Sequence, residues 1–167
     1  MRALLRLELT DRSGRIIAAR QTHNAVMREG ARLVASLFAG AGGAITHMGV
    51  GISDEPESDT YNTLALTNPT TGDDMLQGET DAPIPSEAML ISIDEVRRVA
   101  VVRVRGTLPP DAAIGRIREA GLISRSEEGD VLYNRVTFAP VDKGGDHELT
   151  LFWEVAFPYG DLNWMGG

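Results

Sequence analysis

Three histidines, His23, His47 and His147, are the only side chains here that ordinarily titrate near neutral pH, and there is no cysteine. Nucleophilic catalysis needs a serine, threonine or cysteine beside a base that a third group orients. No G-x-S-x-G elbow occurs in the sequence. The histidines are far apart, and no H-x-x-x-H or H-E-x-x-H spacing brings two of them to one helix face. Their sequence positions read as structural: His23 ahead of a helix, His47 within a strand, His147 at the lip of a hairpin. Without cysteine, disulfides and thiolate metal sites are excluded. The glycine runs Gly40-Ala41-Gly42-Gly43 and Gly49-Val50-Gly51 lack the strand–loop–helix setting that cradles phosphate.

The carboxylates are the other reactive groups. Between Leu33 and Val96 there is no Lys or Arg, while Asp54, Glu55, Glu57, Asp59, Asp73, Asp74, Glu79, Asp81, Glu87, Asp94 and Glu95 all fall there. A hard cation such as calcium takes several carboxylate and carbonyl oxygens, but the run holds no D-x-[DN]-x-[DN]-G loop. The segment is read as a solvated acidic loop, with calcium or a basic partner surface as alternatives. Paired carboxylates could serve glycoside chemistry, yet an aromatic content of 5% leaves little for a sugar platform. No catalytic constellation emerges, and the sequence implies neither enzyme nor cofactor.

Net charge narrows the partners. At −8 the chain is poorly suited to generic phosphate-backbone binding, so no nucleic-acid partner is expected. Fifteen Arg stand against one Lys, Lys143. Arginine makes planar bidentate contacts that suit interfaces, although genomic base composition produces the same bias. No window approaches the ~18 apolar residues of a membrane span, and the arginine-studded start MRALLRLELTDRSGRII does not read as a signal peptide.

The elements that must position these groups are mostly strands. Arg135–Pro158 contains two alternating runs around Asp142-Lys143-Gly144-Gly145-Asp146, a composition that favours a hairpin turn. In its second run Leu149, Leu151, Trp153, Val155 and Phe157 share one face, as a period of two requires. Phe152 interrupts the opposite, wetter face. Ala3–Thr10 alternates in the same way, turns at Asp11-Arg12-Ser13-Gly14, and returns as Arg15–Arg20. Helical spacing then predicts a helix over about residues 25–39, with Val26, Leu33, Val34 and Leu37 on one face. Thr22 or Asn24 is its expected cap and Gly40 its end. Gly30 inside it costs up to about 1 kcal/mol relative to Ala, which a close packing contact would explain.

Ile45–Ile52 reads as a strand with small residues on one face, lying close under another element, with the helix the first candidate. Residues 53–86 lack a sustained period and read as a long loop with one short helix near Tyr61–Leu66. Tyr61, Leu64, Leu66, Met75 and Leu76 are its candidate anchors or contacts to a neighbour. Ala88–Ile93 and Val99–Leu108 are strands, the latter facing Arg103 and Arg105 outward or toward a partner. Ala113–Ser124 is read as strand rather than helix because Gly115 and Gly121 are poor helix residues. The expected fold is mainly β: an antiparallel β-sandwich with one amphipathic helix packed against it, a single domain over 1–158 with an acidic insertion at 53–86. Residues 159–167 form a tail in which Trp164 and Met165 are candidate interaction anchors.

The order of segments carries a resemblance. NAVMREGARLVASLFAG (Asn24–Gly40) precedes ITHMGVG (Ile45–Gly51), and IREAGLI (Ile117–Ile123) follows later. Arg135, Phe138 and Lys143 are then followed by Leu149, Trp153 and Phe157. This pattern resembles structural proteins of phage tails and contractile injection systems, especially the N-terminal attachment domains of tail-collar fibre proteins. It spans most of the chain, from Arg15 to Pro158. The acidic insertion is longer than the family pattern, and no fibre shaft or receptor-binding tip follows Phe157. The resemblance implies a non-enzymatic component of a baseplate, collar or fibre-attachment adaptor, assembled in the host cytoplasm and located in the particle. Its expected partners are other particle proteins and further copies of itself, without membrane. Two other functions remain open: a free-standing carbohydrate- or ligand-binding β-sandwich, and a virion head or capsid-decorating protein.

Overall fold

The computed structural model describes residues 2–160. Two five-stranded antiparallel sheets face each other. The strands are β1 (Arg2–Thr10), β2 (Ile16–His23), β3 (Ala25–Val26), β4 (His47–Gly51), β5 (Asp81–Pro83), β6 (Met89–Asp94), β7 (Val99–Leu108), β8 (Gly115–Ser126), β9 (Gly129–Lys143) and β10 (Glu148–Pro158). One sheet runs β2-β1-β10-β7-β6 and the other β3-β9-β8-β4-β5. The helix α1 (Arg28–Phe38) packs on β9. The sandwich with a single helix is as the periodicity implied.

Alternation builds the core. Leu5, Leu7 and Leu9 of β1 stand opposite Trp153, Leu151 and Leu149 of β10, and all six are buried. Val104 and Leu108 of β7 extend that layer. Met48, Val50, Ala120, Leu122 and Val136 supply the facing layer from β4, β8 and β9. Each large aliphatic side chain buried here contributes about 1.5–3 kcal/mol relative to exposure. Two irregularities change which parity faces inward. Between Ile117 and Glu119 the partner strand advances from Val141 to Thr137, and a second shift falls between Leu122 and Ile123. Ile117 therefore joins the core with Ala120 and Leu122, although a strict period of two would send it to the other face.

The helix differs from expectation at its start. Ala25 and Val26 pair with Arg135 and Asn134 as β3, so neither Thr22 nor Asn24 caps α1. Met27 occupies the N-cap position without a side-chain cap, and its backbone N–H donates to Tyr133 O at 3.1 Å. Gly30 lies against the Tyr133 backbone so closely that any Cβ would strike the Tyr133 carbonyl. The packing contact expected beneath Gly30 is thus the bulged segment of β9. Gly40, with φ of +75°, follows the helix end as anticipated.

Other boundaries move as well. The returning strand of the first hairpin continues to His23, and β9 runs on to Lys143, which leaves a shorter turn before β10. No helix forms at 61–66; that stretch is turn and irregular chain. The 53–86 segment is not wholly loop, because Asp81–Pro83 pairs with β4 and a 3-10 turn begins at Ser86. Arg103 and Arg105 face outward, whereas Val99 and Val101, of the same parity, are buried.

Candidate assembly surfaces

The outer face of the second sheet explains the small residues of β4. Gly49 stands beside Gly121, and Gly51 beside Glu119. With Arg135 and Thr137 of β9 they form a trough. A Cβ on Gly49 would meet the Leu66 side chain, and one on Gly51 would collide with Glu119 and the Thr67 carbonyl. What lies close over this strand is therefore the start of the acidic insertion, not the helix.

A buried ion pair holds that cover in place. Arg135 Nε donates to Glu119 Oε2 at 2.5 Å, with the two side chains 4% and 0% exposed. Glu119 Oε1 accepts the Thr67 N–H at 2.6 Å and the Ser53 N–H at 3.4 Å. Arg135 Nη1 donates to the carbonyls of Glu55 at 3.1 Å and Pro56 at 3.5 Å. Glu57 accepts both the backbone N–H and the hydroxyl of Thr137. Asn68 Nδ2 donates to Val50 O at 2.8 Å, and Arg28 N to Thr60 O at 2.9 Å. Two charges removed from water are tolerable only when their remaining hydrogen-bonding capacity is met, and here the loop backbone meets it. Residues 53–68 are consequently fastened to the sheet from both ends.

Several acids of the insertion are engaged internally. Asp59 accepts from the Asn62 backbone and side chain, and those bonds hold its carboxyl below the usual range. Arg125 forks between Asp81, at 2.8 Å, and Asp130, at 2.9 Å, tying β5 to the β8–β9 hairpin. The guanidinium lowers the Asp130 pKa, while the two carboxylates raise that of Arg125. Among the described residues, no group of three or more His, Asp or Glu is gathered as a cation site. The histidines do not converge: His47 Nδ1 meets Thr46 Oγ1, His147 Nδ1 accepts from the Gly144 N–H, and His23 ends the edge strand β2.

The candidate contact residues separate into different surroundings. Tyr61 and Leu64 are exposed, with the Arg28 guanidinium 5.7 Å from the Tyr61 ring centre. Leu66 is half-buried over the glycine trough. Met75 is partly exposed, but Leu76 is a core residue, packed against Gly115, and is withdrawn as a contact to neighbours. Arg103 is held by Glu154 at 3.2 Å and Ser92 at 3.1 Å. Arg105 and Arg6 lie over the Phe152 ring, at 5.7 and 4.5 Å from its centre. These groups border a groove of about 370 Å³ on the outer face of the first sheet. Trp164 and Met165 lie outside the described residues.

One surface was not anticipated. Leu90, Ile91 and Ile93 of β6 are 64%, 76% and 60% exposed, and Val96 in the following turn is 95% exposed. β6 is an edge strand whose described neighbour is β7 alone. Ile91 and Ile93 pair with Val102 and Ala100 on the core-facing side, yet the second sheet does not cover them. Beside them a wholly apolar cleft of about 130 Å³ opens between α1 and the first sheet, lined by Leu33, Leu37, Ile45, Met89, Val102 and Phe157. AMLISI offered one clue in the sequence: an apolar run without the polar alternation of a half-solvated strand.

Among the described residues, no helix is long and apolar enough to cross a membrane. No protein-family model matches the chain, and searches of curated proteins and of solved structures give no significant match.

Proposed function

We propose that the chain is a non-enzymatic assembly component of a phage tail or phage-tail-like particle, in a baseplate, collar or fibre-attachment role. The observation that carries this reading is the edge strand β6, whose apolar side chains face solvent and whose described strand neighbour is β7 alone. An exposed sheet edge recruits another strand, and main-chain bonding plus alternate side-chain contacts make that union specific. The segment order from Asn24 to Phe157 supports the tail assignment. The fastened cover at 53–68 adds a rigid outer face with Tyr61 and Leu64 displayed on it. A carbohydrate-binding role is less well served, because the aromatic ring in the outer groove, Phe152, already carries Arg6 and Arg105 over it.

The test is removal of this chain from a genome that encodes it, followed by electron microscopy and protein analysis of the particles. Assembly predicts that the chain is found in purified wild-type tails, and that its loss gives particles lacking a tail part or stalled before completion. Complete, functional tails in its absence would overturn the proposal, and an effect confined to heads would move the chain to the head.

A further inference from the structure

We infer that β6 is a self-complementary edge through which two copies of this chain join, antiparallel, into one continuous sheet. This rests on the assembly reading above and names the partner of that edge. The first argument is a comparison of the four sheet edges. β3 has two residues, and β5 has three, including Pro83 and the Arg125-bound Asp81. β2 has a register shift, and its Arg20 reaches across to the carbonyls of Ala139 and Pro140, 3.0 and 2.9 Å away. Short length, proline, charge and irregularity are the usual means of blunting an edge. β6 has six residues, and its run Met89–Ile93 contains no charge, proline or glycine.

The second argument is register. Opposed residues of an antiparallel pair point to the same face. A two-fold axis through Ile91 sets Ile91 against Ile91 and Met89 against Ile93 on the core-facing side, and Leu90 against Ser92 on the outer side. Every core-facing pair is then apolar. The same union extends the uncovered apolar surface beside the α1 cleft, placing the second copy's isoleucines where the second sheet leaves the first exposed. At the strand end Asp94 is offset by Arg97, whose N–H it accepts at 2.8 Å and whose guanidinium lies 3.8 Å away, whereas the exposed Glu87 and Glu95 fall opposite each other just outside β6. The overall charge of −8 does repel two copies, so association strengthens with added salt, the reverse of an ion-paired interface.

The absence of cysteine allows a direct experiment. Ile91→Cys is placed opposite itself at a separation that a disulfide or a short bis-maleimide spans. Under oxidation the variant should convert to a covalent dimer, while the more exposed Val96→Cys should not. Wild type should sediment as a concentration-dependent dimer, and Ile91→Lys and Ser92→Lys as monomers with unchanged circular dichroism. Failure of Ile91→Cys to cross-link, with wild type monomeric at the highest concentration, overturns self-pairing. So does a dimer that disappears when the chain is truncated after Gly160, since the tail would then be the contact. The two readings fail separately. If self-pairing is absent but Ile91→Lys no longer enters particles, the edge serves a different chain and the assembly reading stands. If Ile91→Lys enters particles normally and the wild type is monomeric, self-pairing through β6 falls while the chain remains a particle component; the assembly reading falls instead if the wild-type chain is absent from purified tails.

Discussion

Replacing Glu119 by Gln tests whether the buried pair organises the outer face. Gln retains an oxygen to accept the Thr67 N–H, so the change removes charge more than shape. It leaves the Arg135 guanidinium, 4% exposed, without its counter-ion. Stranding one member of a buried pair costs about 3–5 kcal/mol. For a chain of this size that corresponds to a fall in Tm of roughly 6–20 °C. Arg135→Met strands the Glu119 carboxylate and also frees the Glu55 and Pro56 carbonyls, so its cost should be similar or larger. In the double variant neither charge remains. Its loss should fall short of the sum of the two single losses by about 0.5–3 kcal/mol, the coupling expected of contacting residues. Urea unfolding supplies the energies, and amide exchange over residues 53–68 reports whether the cover has lifted. Single losses below about 1 kcal/mol, as for surface pairs, additive in the double variant and with unchanged protection of 53–68, would refute the reasoning.

Two further predictions follow from local geometry. Gly30→Ala, which in an open helix would stabilise by up to about 1 kcal/mol, should instead destabilise by about 1–3 kcal/mol, because its methyl group meets the Tyr133 carbonyl; thermal unfolding decides the sign. Asp130→Asn should lower stability near neutral pH by less than about 1 kcal/mol, since the Arg125 pair is largely exposed. The folded-state pKa of Asp130 is depressed by Arg125. Its contribution is therefore full above the unfolded value of about 4 and is lost as pH falls through the lower folded value. Urea titrations of wild type and variant should converge in that acid window, and a difference that persists below it would contradict the pairing.

Strand periodicity was readable wherever one face meets the core. The alternation of Leu5, Leu7 and Leu9, and of Leu149 to Val155, specified both the strands and their buried faces. Gly49 and Gly51 announced a close neighbour but not its identity. That neighbour, Leu66–Thr67, is placed by a contact between Glu119 and Arg135 from different strands, which no spacing rule exposes. The start of α1 was misplaced because Ala25 and Val26 gain more from pairing with β9 than from another helical turn, a tertiary effect that local propensity cannot register. Ile117 could be assigned to the core only after the register shift opposite it was known. The exposure of Ile91 and Ile93 depends on how far the second sheet extends, which is a property of the assembled sandwich rather than of AMLISI itself.

The most direct test of the assembly account is amide hydrogen exchange of residues 89–94, compared between the dilute chain and the purified particle. In the dilute chain, the β6 amides that face away from β7 should exchange at the rate of an open edge. In the particle they should be protected like those of an interior strand. Equal exchange of these amides in both states would contradict the claim that β6 is where this protein is joined to its neighbours.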